Sequence, residues 1–314
     1  MARWWPTGEK MNSSGFFGPQ HAQCAAMRVA LVAHHESETN LRLVEAAPLG
    51  VQAEIVRPSR IRGWLGRGDA ALARLDVLRS LDGMETGSFE VGLIENDGIA
   101  VLNPLSALMA THDKLQTSRL LEAAGLPHPR TMHYDGTTEP GTVELPVVLK
   151  PRFGSWGSDV MLCTTRRQLT EALDVVSQRP WFRTHGVLMQ ELIPPLGHDL
   201  RIVVSGGQVV GAVRRQAAEG EWRTNVALGA ERQHADPPRA AIELALGAAA
   251  AVGADLVGVD LLPIVDDGWA VIELNGAVEF NDEYSLGSDV FALAMNSLVD
   301  AVRDRPQTAL AALA

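Results

Sequence analysis

The sequence is poor in cysteine and lacks long apolar or basic runs. Only two of its 314 residues are cysteine, Cys24 and Cys163, and their spacing fits neither a metal site nor a redox pair. This predicts a reducing compartment, the cytoplasm. No apolar run approaches the length needed to cross a bilayer. The formal net charge is −11 and no long basic stretch offsets it, which argues against a general nucleic-acid binder but leaves a local basic pocket open.

The bulk composition is that of a folded chain, with 46% hydrophobic and 21% charged residues. The length allows two domains or one multi-lobed enzyme. Residues 1–26 mix Gly, Pro, Ser and Gln without a continuous apolar core, so they match neither a signal peptide nor a folded element. We expect this leader to be disordered and Met27 to be the physiological start.

Beyond the leader, apolar runs and amphipathic segments alternate, as in an α/β domain. Strands are predicted at "RVALVA", "VQAEIV" and "IAVLN" and within residues 73–81, and helices at "ETNLRLVEAA" and "FEVGLIENDG". This order predicts a small parallel sheet. His34 and His35 end its first strand, where open α/β sheets bind ligands, and are candidates for an acceptor site.

The rest of the chain is predicted to begin with the helix "THDKLQTSRLLEAAG", with Thr111 as its N-cap. A strand ending at Lys150, a glycine-rich loop and further strands and helices follow. Two β-hairpins are then predicted, the first turning at Gly206–Gly207 and the second at residues 266–268.

Three oxygen-bearing side chains interrupt the second hairpin. Glu273 and Asn275 are two residues apart in "VIELNGAVEF", so they share one face of a strand. The turn places Asp260 opposite Glu273 or its neighbour. Two anions and an amide at such distances repel unless a hard cation lies between them, and Mg²⁺ takes such ligands. A buried hydrogen-bonded network is the alternative.

A lysine followed by a glycine-rich loop suits phosphate binding. Lys150 ends a buried strand, and "PRFGSWGSD" follows it, which would supply a point charge together with backbone N–H donors. The lysine precedes the glycines, so this is not a Walker A loop. A loop without a ligand is the alternative here, and a solvated surface lysine is the default for Lys114 in its helix.

The first hairpin carries an acid and three arginines. Asp199 and Arg201 share a face of one strand, and Arg214 and Arg215 lie on its neighbour. Guanidinium groups fit phosphate oxygens bidentately. A salt-bridge ladder across the hairpin explains the same pattern.

The order of these motifs is more specific than any one of them. "DKLQ", "VLKP" with its glycine loop, "QELI", "GHDLR", "EWRTN", an aspartate strand and "ELN" follow one another. In this order the chain resembles the ATP-grasp superfamily, and within it the RimK-type amino-acid ligases and the related LysX-type ligases. The resemblance runs from Met27 to the end and is densest between Asp113 and Asn275.

The resemblance implies an α/β protein with the ATP-grasp fold, in which two α+β lobes clamp ATP. The implied organisation is an N-terminal open parallel α/β domain over residues 27–112, a central lobe with a glycine-rich lid over 113–188, and a C-terminal lobe with the metal site over 189–314.

The resemblance also implies a role for each residue that matches a family motif. Lys114 and Lys150 would bind the nucleotide phosphates, and Asp199 the ribose side of the nucleotide. Arg201 and Arg215 would face the transferred phosphoryl group as catalytic residues, with Asn225 near the metals. Asp260, Glu273 and Asn275 would hold magnesium or manganese, two ions in the family. The lid would be Gly154, Ser155, Trp156, Gly157 and Ser158, and the adenine segment Gln190, Glu191, Leu192 and Ile193.

The implied activity is that of an ATP-dependent carboxylate–amine ligase acting through an acyl phosphate. It would add a glutamate-like amino acid to a peptide, protein tail or cofactor, with no nucleic-acid or membrane partner and with a homo-oligomer possible. Leu228, Gly229 and Ala230 replace the Arg-Gly-Gly common in the family, and "NGAVEFNDEYS" also departs from it. Alternatives are a nucleotide-binding module without ligase activity and an ATP-grasp enzyme of another type, such as a carboxylase or kinase.

Overall fold

A computed structural model describes residues 26–137, 143–265 and 268–305. The predicted leader, apart from residue 26, lies outside these ranges, as do the turn residues Asp266 and Asp267. The described chain forms three β-sheets with helices packed against them. None of the helices in these ranges is both long and apolar enough to cross a bilayer.

The first sheet is parallel and open, with strand order β2-β1-β3-β4, as predicted. Successive residues of β1 point to opposite faces of the sheet, so Ala30 packs in one apolar core and Leu31 in another. A sheet covered on both faces needs continuous apolar strands, which explains "RVALVA". Its elements are β1 (Met27–Val32), α1 (Glu38–Glu45), β2 (Val51–Val56), α2 (Ile61–Trp64), β3 (Ala70–Ala73), α3 (Ser88–Asn96) and β4 (Ala100–Leu102).

The strand expected within residues 73–81 was placed too late. β3 is the short apolar run Ala70–Ala73, and the polar residues from Arg74 onwards form a loop. This loop reaches the second sheet, where Leu81 joins the apolar core.

Two consecutive helices, α4 (Leu105–His112) and α5 (Lys114–Ala123), follow the first sheet. The predicted N-cap at Thr111 is wrong, because this residue lies within α4 and its hydroxyl donates to the Leu108 carbonyl. Asp113 caps α5 instead, and its carboxylate accepts the backbone N–H of Leu115 at 3.1 Å. An aspartate oxygen is a good acceptor for the free N–H groups of a helix start.

The second sheet is antiparallel, with order β5-β8-β6-β7. β8 continues in this sheet to Glu191, so the sheet runs three residues past the predicted lobe limit at residue 188. The elements are β5 (Thr131–Tyr134), β6 (Val147–Pro151), β7 (Met161–Cys163), α6 (Arg166–Ser177), α7 (Pro180–His185) and β8 (Val187–Glu191).

The third sheet is antiparallel, with order β11-β10-β9-β12-β13, and contains both predicted hairpins. α8 packs on one face of it, while α9 fills the space between its other face and the first sheet. The elements are β9 (His198–Ser205), β10 (Gln208–Gln216), β11 (Glu231–His234), α8 (Arg239–Val252), β12 (Leu256–Ile264), β13 (Gly268–Asn275) and α9 (Val290–Asp304).

Residues 276–280, which follow β13, join the third sheet to the first. Phe280 stacks on Phe291 of α9 with ring centroids 4.9 Å apart, and Thr39 of α1 donates to the Phe280 carbonyl at 2.9 Å. Val278 covers Gly258 of β12 so closely that a Cβ built on the glycine would lie 2.5 Å from Val278 Cγ2. The end of β13 therefore has a fixed position relative to the first sheet.

This packing predicts that Gly258→Ala destabilises the protein by about 1–3 kcal/mol, because the added methyl group overpacks the contact with Val278. Urea denaturation of the full chain measures the change. Gly63→Ala is the matched control, since a Cβ at Gly63 in α2 meets no atom within 4 Å. Equal stability of the two variants would show that the segment after β13 is not held tightly.

Candidate active site

A cleft of about 900 Å³, its open mouth included, lies between the second and third sheets. This is the size of cavities that hold small ligands. All but three of the eighteen residues predicted for the site line it, the exceptions being Trp156, Arg201 and Asn275. Residues far apart in sequence are thus brought to one place.

Two lysines meet at one end of the cleft. Lys114 is the first residue of α5, and its Nζ lies 2.9 Å from Glu273 Oε1 and donates to the Gly154 carbonyl. Arg152, two residues after Lys150, donates from Nε to the helix cap Asp113 at 2.7 Å. This contact draws the start of α5 to the end of β6. Lys114 is therefore not the solvated lysine that its sequence position alone favours.

Lys150 is almost fully buried, with 6% of its surface exposed. Burial and the neighbouring Lys114 ammonium lower its pKa from 10.5 to about 8, although Glu273 opposes the change. An anion placed between the two lysines would restore the charged state, so this end of the cleft is suited to phosphate.

The glycine-rich loop covers the same end of the cleft. Asn225 packs against this loop so closely that a Cβ built on Gly157 would lie 2.9 Å from Asn225 Oδ1. The backbone of Gly157 also has a positive φ of 72°. Only glycine adopts this conformation without strain. Arg223 Nη1 donates to the Gly157 carbonyl at 3.2 Å.

Trp156 leaves the cleft, contrary to its predicted place among the lid residues over the phosphates. Its side chain is 45% exposed, and the Arg79 guanidinium carbon lies 5.5 Å from the ring centroid. The tryptophan thus joins the loop to the first sheet, where it lines a second cavity with His34 and His35.

The opposite end of the cleft is mostly apolar and begins at the end of β8. Gln190 donates to Thr131 Oγ1 at 2.8 Å, which fixes the strand end, while Leu192 and Ile193 contribute apolar surface. Sequence reasoning missed several lining residues. Val148 lies two residues before Lys150 and Leu262 two after Asp260, so strand alternation is a signal that identifies both. The other lining residues outside the prediction are Pro151, Val160, Pro195, Trp222, Arg223, Thr224 and Ile272.

Asp260 pairs directly with Glu273 across the hairpin, as the turn position predicts. Asp260 also accepts Nε of Arg201 at 2.6 Å and Nη2 of Arg215 at 2.8 Å. Burial alone would raise its pKa, but the two guanidinium groups outweigh burial and hold the pKa at about 2. Arg215 donates further to Asp199, which also accepts the Thr224 hydroxyl at 2.5 Å. The predicted salt-bridge alternative is therefore present, and Arg201 does not line the cleft.

The predicted metal ligands fit a magnesium ion, except that Asp260 is already paired with two arginines. Glu273 lines the cleft, and Asn275 lies two residues further along the same strand; its side-chain oxygen is the atom that could bind a metal, whereas its Nδ2 amino group is buried with no hydrogen-bond partner among the described residues and is not a metal ligand. Such an amide and carboxylate are ligands for Mg²⁺. Asp260 can join them only as a ligand shared with its two arginines. No group of three His, Cys, Asp or Glu side chains suited to a metal occurs within the described ranges.

Comparison with known protein families matches residues 111–296 to the RimK-like ATP-grasp domain. The chain belongs to the RimK-like ATP-grasp family. It is an ATP-dependent ligase that forms carbon–nitrogen bonds, as the resemblance implies. A nucleotide-binding module without activity, a carboxylase and a kinase are accordingly set aside.

Named relatives of this RimK-like ligase agree. Glutamate–LysW ligase ArgX of Sulfolobus acidocaldarius is 25% identical over 267 residues, which are 81% of this chain and 91% of the relative. A probable alpha-L-glutamate ligase of Xanthomonas oryzae is 33% identical over 222 residues, 67% of this chain and 72% of the relative. The fold matches a RimK domain ATP-grasp protein from Sphaerobacter thermophilus with a TM-score of 0.63, covering 88% of this chain and 99% of the other at 24% identity.

The burial of Lys150 predicts pH-dependent nucleotide binding. With a pKa of about 8 in the free protein, Lys150 is charged below that pH and neutral above it. Since phosphate binds the charged form, we expect the Kd for ADP to rise about tenfold between about pH 7 and about pH 9. Calorimetric titration with ADP measures this.

Lys150→Arg is the control, because a guanidinium group stays charged over this range. Its Kd should be flat with pH. A flat profile in the original protein, or the same rise in Lys150→Arg, would show that another group sets the dependence.

Proposed function

We propose that this RimK-like ligase joins a free amino acid, glutamate-like in class, to a carboxylate of a peptide, protein tail or cofactor. The observation that carries the proposal is the meeting of Lys114, Lys150 and Glu273 at one end of a single cleft, with an apolar pocket at the other end. Such a cleft suits a nucleoside triphosphate. The names of the relatives support glutamate as the first amino acid to test.

The reaction has two transfers. The substrate carboxylate attacks the γ-phosphorus of ATP, the bond to the bridging oxygen breaks, and an acyl phosphate and ADP form. The amine, after losing a proton, then attacks the acyl carbon. A C–N bond forms, the C–O bond to phosphate breaks, and inorganic phosphate leaves.

The protein contributes charge and position. Lys114 and Lys150 offset negative charge on the phosphoryl oxygens, and Arg215 keeps Asp260 ionised at the edge of the cleft. Such fixed charges stabilise phosphoryl transfer without a protein nucleophile. Glu273 and Asn275, with Asp260 as a shared ligand, would hold magnesium, two ions in this proposal. The metal would supply charge neutralisation at the phosphates when bound.

The loop Gly154–Ser158 would act as the lid over the phosphates. Its contacts with Asn225 and Arg223, and that of Gly154 with Lys114, support a position over the lysine end of the cleft. A cover there excludes water, which would otherwise hydrolyse an acyl phosphate.

The proposal also takes up three points of organisation. The lobes would be an N-terminal domain, a central lobe and a C-terminal lobe. The boundary between the central and C-terminal lobes would lie at the end of β8, at Glu191, instead of at residue 188. Cys163 is a free, buried thiol, which suits the reducing cytoplasm. A homo-oligomer stays a prediction.

The substrates can be identified by measuring ADP release with ATP and magnesium across amino acids and carboxylate acceptors, followed by mass spectrometry of the products. Release that requires both an acid and an amine, with product mass equal to the sum less water, supports ligation. Release without any amine product would contradict the proposed reaction.

Glu273→Gln should reduce ADP release about 10²–10³-fold, because the site loses the carboxylate that faces Lys114 and would bind the metal. Steady-state ADP assays at saturating magnesium measure the loss. Glu243→Gln is the matched control, since Glu243 is an exposed partner of Arg239 on α8 and does not line the cleft. If Glu273→Gln stayed within about threefold of the original rate, the metal assignment would be wrong.

A further inference from the structure

A second cavity, of about 1210 Å³ with its open mouth included, lies between the first sheet and the lid. It opens at the carboxyl ends of β1 and β3. The chain passes from β1 outward to β2 and then returns to β3 on the other side of β1, so this is the point where the strand order reverses. Open α/β sheets bind ligands at that point.

The walls of this cavity carry charges of both signs. The cations are Arg74 and Arg79, and the carboxylates are Asp76, Glu85 and Glu279. A ligand that is only an anion would meet three acids there. A ligand that carries both an ammonium and a carboxylate group finds a partner for each.

Arg74 is the most deeply buried of these groups. Its side chain is only 1% exposed, its Nη2 donates to the Val278 carbonyl at 2.9 Å, and the same nitrogen lies 3.1 Å from Glu279. Its Nε donates to Asn40 Oδ1 at 2.5 Å. Nη1 is buried and has no hydrogen-bond partner among the described residues. Because buried guanidinium nitrogens are normally paired, a ligand oxygen is a suitable partner for this one.

Two residues connect this cavity to the reaction site. Trp156 lines the cavity, whereas its neighbours Ser155 and Gly157 line the nucleotide cleft. Ala277 also lines it, two residues beyond Asn275. A ligand in this cavity therefore lies beside the lid loop, next to the phosphate end of the cleft.

We propose that this second cavity binds the amine substrate as the zwitterion of a free α-amino acid, with its carboxylate at Arg74 and Arg79 and its ammonium at Asp76 and Glu85. The inference rests on the proposed function and adds to it the residues that choose the amino acid. Trp156 forms the wall on the lid side, and residues 277–279 form the wall that departs from the family pattern.

Direct binding tests the inference. The full chain, with magnesium and a non-hydrolysable ATP analogue, is titrated calorimetrically with each of the common L-amino acids, L-glutamate first. Glutarate, which lacks the ammonium group, is titrated alongside. We expect at least one amino acid to bind and glutarate to bind at least about tenfold more weakly than L-glutamate. Binding of no amino acid, or equal binding of glutarate, would overturn the inference.

Variants then locate the site. Arg79→Gln should weaken the amino-acid Kd about tenfold or more and leave the ADP Kd within about twofold. Arg74→Lys keeps the buried charge but removes the forked donor, and should weaken amino-acid binding in the same selective way. Arg62→Gln is the control, because this substitution removes the same charge from the same domain, and Arg62 is an exposed partner of Asp97. Unchanged amino-acid affinity in both Arg79→Gln and Arg74→Lys, with ADP binding intact, would overturn the assignment.

A separate assay distinguishes this result from failure of the ligase proposal. Hydroxylamine, a small nucleophile, replaces the amino acid, and ADP and hydroxamate are measured with the carboxylate panel. Arg74→Lys, which does not contact the lid, should keep its rate with hydroxylamine and raise KM for the amino acid. Absence of hydroxamate in the original protein with every acid contradicts the acyl-phosphate reaction, while the binding titrations still decide the amino-acid site.

Discussion

Arg215 lies between two carboxylates, Asp199 and Asp260, in the part of the third sheet that lines the cleft, where all three residues are almost fully buried. Charges in such a place must be paired, since an unpaired buried ion is strongly destabilising. Sheet register achieves the pairing: Arg215 is directly opposite Asp199 on β9, and Arg201 of β9 is opposite Asp260 on β12. The next strand adds Glu273 opposite Asp260, and α5 adds Lys114. The row of charges thus extends from the interior of the sheet to the lysine end of the cleft, with two acids, Asp260 and Glu273, side by side between the arginines and Lys114.

The same row explains why Asp260 stays ionised although it is buried and lies beside another acid. Asp260 has a pKa of about 2 because of its arginines, so it remains an anion next to Glu273. Lys114 offsets Glu273 from the other side. Lys150 is the exception, since burial disfavours its charge and no acid in the row is its dedicated partner. Of the charged residues in the row, Lys150 would therefore be stabilised most by a bound phosphate, which would supply the negative charge that this lysine lacks as a partner.

Local pairing is the part of this site that sequence patterns can predict. Asp260 and Glu273 belong to one hairpin, so the turn position is enough to place them opposite each other. Lys150 and its loop were likewise predictable, because a strand end and the loop after it are continuous in the chain. The prediction of Thr111 as the N-cap was wrong because Asp113, two residues further along, is the better cap. Trp156 and Arg74 could not be placed, since their surroundings depend on how separate sheets pack. Arg74 and the carbonyl it contacts at Val278 are 204 residues apart.

The segment after β13 is where long-range packing and substrate choice meet. Its apolar residues are fixed, Val278 against Gly258 and Phe280 against Phe291, and its polar groups face Arg74. The strand that carries Glu273 and Asn275 is thereby held in a set position relative to the second cavity. In the proposed reaction the amine must reach an acyl carbon beside those two residues, and positioning of this kind can supply much of a rate enhancement. Because the same backbone positions both the proposed metal ligands and the wall of the second cavity, we expect a change in this segment to alter which amine is accepted only where Asn275 keeps its place. The departure of "GAVEF" from the family pattern begins directly after that asparagine, at Gly276, where packing still limits the side chain, because a Cβ there would lie 2.3 Å from Thr111 Oγ1.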